Sequence, residues 1–150
     1  QRQMCIETGA KYLYINSFWE IENYSLEEIE WTISASSIPE ERVYLFNDVP
    51  NFKISPIRCK YAVLFPIPAA CSEELVGFAE HIARFGATIT AHLPSLHLVD
   101  SAKFFESGDG FYSMSRNGEV LYRDQNHLNK SGSIALFKYL EKALGVGGTH

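Results

Sequence analysis

A chain of 150 residues, 46% of them hydrophobic, is the length of one ordinary domain, and at that size folding buries roughly 70% of the unfolded surface. A formal charge of −5 without any run of lysine or arginine excludes the electrostatic footprint of a protein that binds DNA, RNA or an anionic membrane. No apolar run approaches the ~20 residues of a spanning helix, so this chain is not expected to insert into a bilayer.

The first residues, "QRQMCIETGA", lack the basic region followed by an apolar region that marks an export signal. "KYLYINS" is a short β-rich run that ends on Asn16 and Ser17. In "SLEEIEWTISASSIPE", Leu26, Ile29, Ile33 and Ser37 fall on one helical face. Ser25 with Glu28 forms a capping box that starts this helix, and Pro39 marks its end. "RVYLFNDVP" is a second strand, apolar enough to be buried on both faces, closed by Asn47, Asp48 and Pro50. Strand, helix and strand at this spacing imply parallel pairing with a right-handed crossover.

"YAVLFPI" reads as another short extended run. "SEELVGFAEHIARFGA" reads as a helix capped by Ser72, with Leu75, Phe78, Ala79, Ile82 and Phe85 on one side and His81 facing solvent. "SLHLVDS" is a further strand. "FYSMSRNGEVLYRD" is a hairpin, since Asn117-Gly118 is the strongest two-residue hairpin signal. The last helix, "KSGSIALFKYLEKAL", is expected to turn Ile134, Leu136, Phe137, Leu140 and Leu144 to the core, with residues 145–150 as a frayed tail. Without repeats or low-complexity segments, residues 1–150 form a single α/β layer domain.

Cys5, Cys59 and Cys71 are odd in number and lack the close pairing of a zinc site, so no metal is expected. Buried thiols are one reading of them. A Cys59–Cys71 bridge, which would close a short loop in an oxidising compartment, is the other. His81, His92 and His97 lie in or beside apolar segments and suggest no ligand set, and Trp19 and Trp31 read as core or cleft wall. The glutamates at 27, 28, 30, 40 and 41 read as a solvated helix face and loop.

The chemistry is concentrated in Asp124-Gln125-Asn126-His127, between the hairpin and the last helix. A carboxylate three residues before an imidazole can hold that ring in one tautomer while its other nitrogen takes a proton from a nucleophile. The same spacing also suits a helix cap, with Asp124 or Asn126 accepting from backbone N–H groups. The surrounding text, "GxxLYRDxNHLNxxGS", resembles the C-terminal catalytic block of SGNH hydrolases, in particular the extracytoplasmic SGNH domains fused to integral-membrane acyltransferases that O-acetylate surface polysaccharides. "YLYINSFWEIENYSLEEIEWTISASSIPEERVYLFNDVPNFKISPIRC" and "LVDSAKFF" are similar to that subgroup at lower specificity.

The resemblance implies a three-layer α/β fold with a mainly parallel, flavodoxin-like sheet, and no cofactor. It implies His127 as general base and Asp124 as its orienting carboxylate, at the carboxyl ends of the strands. Asn16 or Ser17 stands where an oxyanion donor is expected. The family's Gly-Asp-Ser nucleophile block is missing, because Gly108-Asp109 is followed by Gly110 and lies in a turn near the C-terminus. The expectation is therefore most of a domain for transfer or hydrolysis of carbohydrate O-acetyl esters, lacking its first strand and inactive as this chain. The alternative is a stand-alone non-catalytic module that binds a sugar, an acyl group or a second copy through an exposed sheet edge. The compartment is extracytoplasmic under the first reading and cytoplasmic under the second. A flavodoxin-type small-molecule binder would need a Gly-rich phosphate loop, which the sequence lacks.

Overall fold

The computed structural model describes residues 11–16, 25–64, 71–108 and 110–144. The described residues fall into two compact units, one from within 1–48 and 80–100 and the other from within 49–79 and 101–150.

The first unit is built on a parallel sheet. Strand β1 (Leu13–Asn16) pairs in parallel with β2 (Val43–Phe46), and β2 with β4 (His97–Val99), giving the order β1-β2-β4. Helix α1 (Leu26–Ser36) connects the first two strands. Its start follows the expected capping box: Ser25 Oγ accepts from Glu28 N at 3.3 Å, and Glu28 Oε2 accepts from Ser25 N at 3.3 Å, which satisfies two N–H groups that the first turn leaves open. The helix stops where Ser37 adopts φ 56°, and Ser36 Oγ donates to Ile33 O while accepting from Ile38 N.

Ile29 and Ile33 of α1, Val43 and Leu45 of β2, and Ile89 and Leu93 form the buried cluster, with Leu13, Ile15 and Phe85 packed at its margin. Alternation along the strands puts Tyr14, Tyr44 and His97 on the opposite sheet face, where Tyr14 stacks on Tyr44 at 5.4 Å and Tyr44 on His97 at 4.7 Å. Trp31 is 67% exposed and so is not a core residue. Two residues from both Ile29 and Ile33, it lies about 200° around the helix from each, on the far side from the core. Trp19 lies outside the described residues.

The second unit is antiparallel. Strands β3 (Ser72–Glu74), β5 (Glu106–Gly108) and β6 (Phe111–Ser113) form a sheet in the order β3-β6-β5. Strands β7 (Ser115–Arg116) and β8 (Glu119–Val120) form the expected hairpin, with Asn117 at φ 51° and Gly118 at φ 81°, the two positive angles of a type I′ turn. Strand pairing in the described residues is thus mixed, parallel in the first unit and antiparallel in the second. Met114 and Phe52 are fully buried, and the ring of Phe52 meets Tyr122, Tyr122 meets Phe105 and Phe105 meets Phe104.

Three helices differ from what the sequence suggests. Helix α2 (Pro56–Leu64) takes in Tyr61 to Leu64, which had read as extended. Pro56 stands in the first helical position, where its fixed φ and missing N–H cost nothing, and Arg58 N bonds to Ser55 O. Ser72 does not cap a helix, because Ser72–Glu74 pairs with β6. Helix α3 (Val76–His92) begins later and runs further than expected, its Thr88 and Thr90 hydroxyls donating to the carbonyls of Arg84 and Gly86. In helix α4 (Lys130–Ala143), Leu136, Leu140 and Leu144 are partly buried as expected, but Ile134 is 46% and Phe137 61% exposed. The cause is at its first turn. A Cβ on Gly132 would stand 2.0 Å from the Leu121 carbonyl oxygen, so this contact fixes which face of α4 turns inward. Residues 145–150 lie outside the described residues.

Cys59 and Cys71 are joined by a disulfide, which ties α2 to the entrance of β3. Cys71 O accepts from Met114 N, Met114 O from Leu121 N, and Leu121 O from Asn129 N. The backbone is thus linked step by step from the disulfide to the start of α4.

Candidate active site

Residues Arg123–Leu128 form a tight loop between β8 and α4. Tyr122 and Leu128 face each other as an isolated antiparallel bridge, and Arg123 N donates to His127 O at 2.8 Å. The loop is fastened to the segment that precedes α2. Phe52 N donates to Gln125 O at 2.9 Å, Gln125 Nε2 donates to Lys53 O at 2.9 Å, and the buried Tyr122 hydroxyl donates to Pro50 O at 3.1 Å. Burial raises the Tyr122 hydroxyl far above the ordinary tyrosine range, so it remains a donor at any ordinary pH.

Within this loop the structure brings Asp124 and His127 together. His127 Nδ1 lies 2.9 Å from Asp124 Oδ1 and 3.1 Å from Oδ2. Asp124 Oδ1 also accepts the backbone N–H groups of Asn126 at 3.2 Å and His127 at 2.8 Å. Partial desolvation pushes the Asp124 carboxyl upward. The hydrogen bonds from Asn126 N–H, the His127 ring and His127 N–H, with the imidazole's charge, outweigh it and lower the carboxyl to about 2. An ionised carboxylate can only accept, so in the neutral ring Nδ1 carries the hydrogen and Nε2 presents its lone pair. Among the described residues Nε2 has no hydrogen-bond partner, and the His127 side chain is 60% exposed. The arrangement can orient an imidazole and take up a proton.

The helix-cap alternative fails on the same geometry. Asp124 does hold two backbone N–H groups, but they belong to its own turn; the cap of α4 is Asn129, whose Oδ1 accepts from Gly132 N at 2.8 Å. Asn129 Nδ2 also donates to Val120 O at 2.7 Å. Asn129 and Gly132 were not singled out from the sequence. The first was legible as an Asn before a helical run. The second is visible only once the backbone of Leu121 is in place.

The remaining expected site residues are placed as follows. Asn16 ends β1 and is exposed, while Ser17 and Asp109 lie outside the described residues. Gly108 at φ 105° and Gly110 at φ 79° make the turn between β5 and β6, as read from the sequence. Ser107 and Ser113 are held by backbone carbonyls of Phe111, Cys71 and Ser115. His81 is not a solvated helix residue: its Nε2 is buried without a hydrogen-bond partner, 3.8 Å from Oδ2 of the buried Asp48. Nothing local signals this contact, because Asp48 is 33 positions away along the chain. Past the carboxyl ends of β2 and β4, Asn47 Nδ2 donates to Asp100 Oδ1 at 2.8 Å. No group of three or more His, Cys, Asp or Glu among the described residues could hold a metal ion, and no helix among them is long and apolar enough to cross a membrane.

A family model described as "SGNH domain (fused to AT3 domains)" matches residues 7–142. The chain belongs to this family. The SGNH domain is therefore an acyl-ester domain of the acyltransferase-fused kind with an α/β fold, as the Asp-x-x-His-Leu block had indicated, and the match includes Asp124 and His127. No curated protein and no solved structure matches the chain.

Proposed function

We propose that this SGNH domain, given a nucleophilic hydroxyl that these 150 residues do not supply in a Gly-Asp-Ser block, acts on carbohydrate O-acetyl groups, with His127 as general base and Asp124 as the carboxylate that orients it. The observation that carries the reading is the contact of 2.9 Å between Asp124 and His127 Nδ1, which leaves Nε2 to take a proton from an attacking hydroxyl. As the ester carbonyl is attacked, the hydroxyl proton passes to Nε2 and the ionised Asp124 stabilises the imidazolium. The proton returns to the leaving oxygen as the acyl C–O bond breaks. Asn16, at the end of β1, is the proposed oxyanion donor, with Ser17 beside it in sequence.

The 150 residues contain no Gly-Asp-Ser block. Removing the nucleophile from a serine triad costs on the order of a million-fold in turnover, so this chain by itself is inactive. Hydrolysis of an aryl acetate is the test, using the parent protein, His127→Ala, and alanine variants of Ser17, Ser107 and Ser113. Only the unsaturable background of an exposed imidazole is expected. Saturable hydrolysis lost both in His127→Ala and in one serine variant would overturn the inactivity.

Within this reading the parallel sheet is the middle layer of a three-layer fold. Support comes from one of its faces, where Val43 and Leu45 pack with α1 and α3. The disulfide supports an oxidising, extracytoplasmic compartment. The dimeric alternative has one observation in its favour: β1 pairs only with β2 among the described strands, and Tyr12 and Tyr14 beside it are 50% and 54% exposed. Sedimentation at micromolar concentration is expected to show self-association, and a monomer would remove that reading.

A further inference from the structure

Beside the Asp124–His127 loop, the second unit has an open groove of about 520 Å3, within the size range of small-ligand sites. Its apolar part comes from Ile57 on α2, Val120 on β8 and Tyr122 after it. Its charged part is Lys60 on α2 and Arg123 in the loop, opposed by Glu119 on β8.

Neither cation is neutralised within the groove. Among the described residues Lys60 makes no ion pair, and Arg123 pairs only through Nε, 3.5 Å from Asp124 Oδ2. Among the described residues the two terminal nitrogens of Arg123 make no hydrogen bond or ion pair, and its side chain is 68% exposed. Asn129 and Ser131 at the start of α4 line the same groove. Asn129 spends its oxygen on Gly132 N, while the first turn of this helix of 14 residues adds the positive end of its dipole. The groove thus joins the exposed Ile57 to Lys60, which makes no ion pair among the described residues, and to Arg123, whose one ion pair is to the carboxylate that holds His127.

We infer that the groove binds an acidic sugar residue, whose carboxylate meets Lys60 and Arg123 while its C–H face lies on Ile57 and Val120. The polysaccharide on which the domain acts is then anionic near the acyl ester. The inference rests on the acyl-ester reading for the nature of the chain bound, not for binding itself. Arg123 supplies a planar fork suited to a carboxylate, and Lys60 a mobile point charge. The groups are exposed, so the attraction weakens with salt.

Calorimetric titration tests this with an unacetylated disaccharide containing glucuronic acid, its neutral glucose counterpart, and inorganic phosphate. The acidic disaccharide is expected to bind at least about tenfold more tightly than the neutral one, and phosphate not to reproduce its affinity. Lys60→Ala and Arg123→Ala should each weaken binding roughly 5- to 10-fold. Glu119→Gln should strengthen it, an effect of opposite sign that general damage to the fold would not give. Equal binding of acidic and neutral sugars, equal binding of phosphate, an unchanged affinity in Lys60→Ala, or no binding would each overturn the inference. Because none of the probes carries an acetyl group, failure here leaves the roles of His127 and Asp124 untouched, and their failure leaves this result standing.

Discussion

At the scale of single residues, Asp124 performs two tasks with one carboxylate. It closes its own turn through the N–H groups of Asn126 and His127, and it holds the imidazole of His127. Because the folded carboxyl is lowered to about 2 from 3.8, its contribution to stability is fully present above pH 3.8 and is lost as pH falls through about 2. Carbon-detected NMR titration of the carboxyl should give a midpoint near that value in the folded protein, and a midpoint near 4 would contradict the hydrogen-bonded turn. In Asp124→Ala, nothing selects the Nδ1–H tautomer of His127. Ring nitrogen shifts at alkaline pH should therefore move toward the Nε2–H form that free imidazole side chains favour. An unchanged tautomer would mean that something other than Asp124 orients the ring.

At the scale of elements, the loop is held from both sides. Gly132 lets α4 start against the backbone of Leu121, and any side chain there must push the helix or the strand aside. Gly132→Ala is expected to destabilise the protein by about 1–3 kcal/mol or more, measured by urea unfolding, with His127 resonances shifted as well. Reduction of the disulfide, which closes a loop with a sequence separation of 12, should cost about 3 kcal/mol in the chain-entropy account and loosen the groove at α2. An unfolding curve insensitive to reductant would show that the bridge is not formed in solution.

What the sequence disclosed about these elements follows from how local each signal is. Ser25 with Glu28, Asn117-Gly118 and the periodicity of Ile29 and Ile33 act within four residues, and all three were legible. Tyr61–Leu64 and Ser72–Glu74 were misread because a short apolar run does not distinguish strand from helix, and because the partner of Ser72 is Ser113, far along the chain. The Asp124–His127 contact was legible because one turn contains it. Gly132 against Leu121, Asp48 beside His81 and the groove of Lys60 and Arg123 were not, since each needs segments that only the fold brings together.

At the scale of the whole molecule, the chain is an SGNH domain whose 150 residues contain no Gly-Asp-Ser block. We propose that His127, held by Asp124, meets the acyl ester of a carbohydrate. Ring-nitrogen NMR of His127, during titration with an O-acetylated oligosaccharide and then with the same oligosaccharide de-acetylated, tests that claim most directly. The acetylated compound is expected to shift His127 Nε2 more than the de-acetylated one, and Asp124→Ala to remove the difference. Equal shifts with both compounds, or none with either, would contradict it.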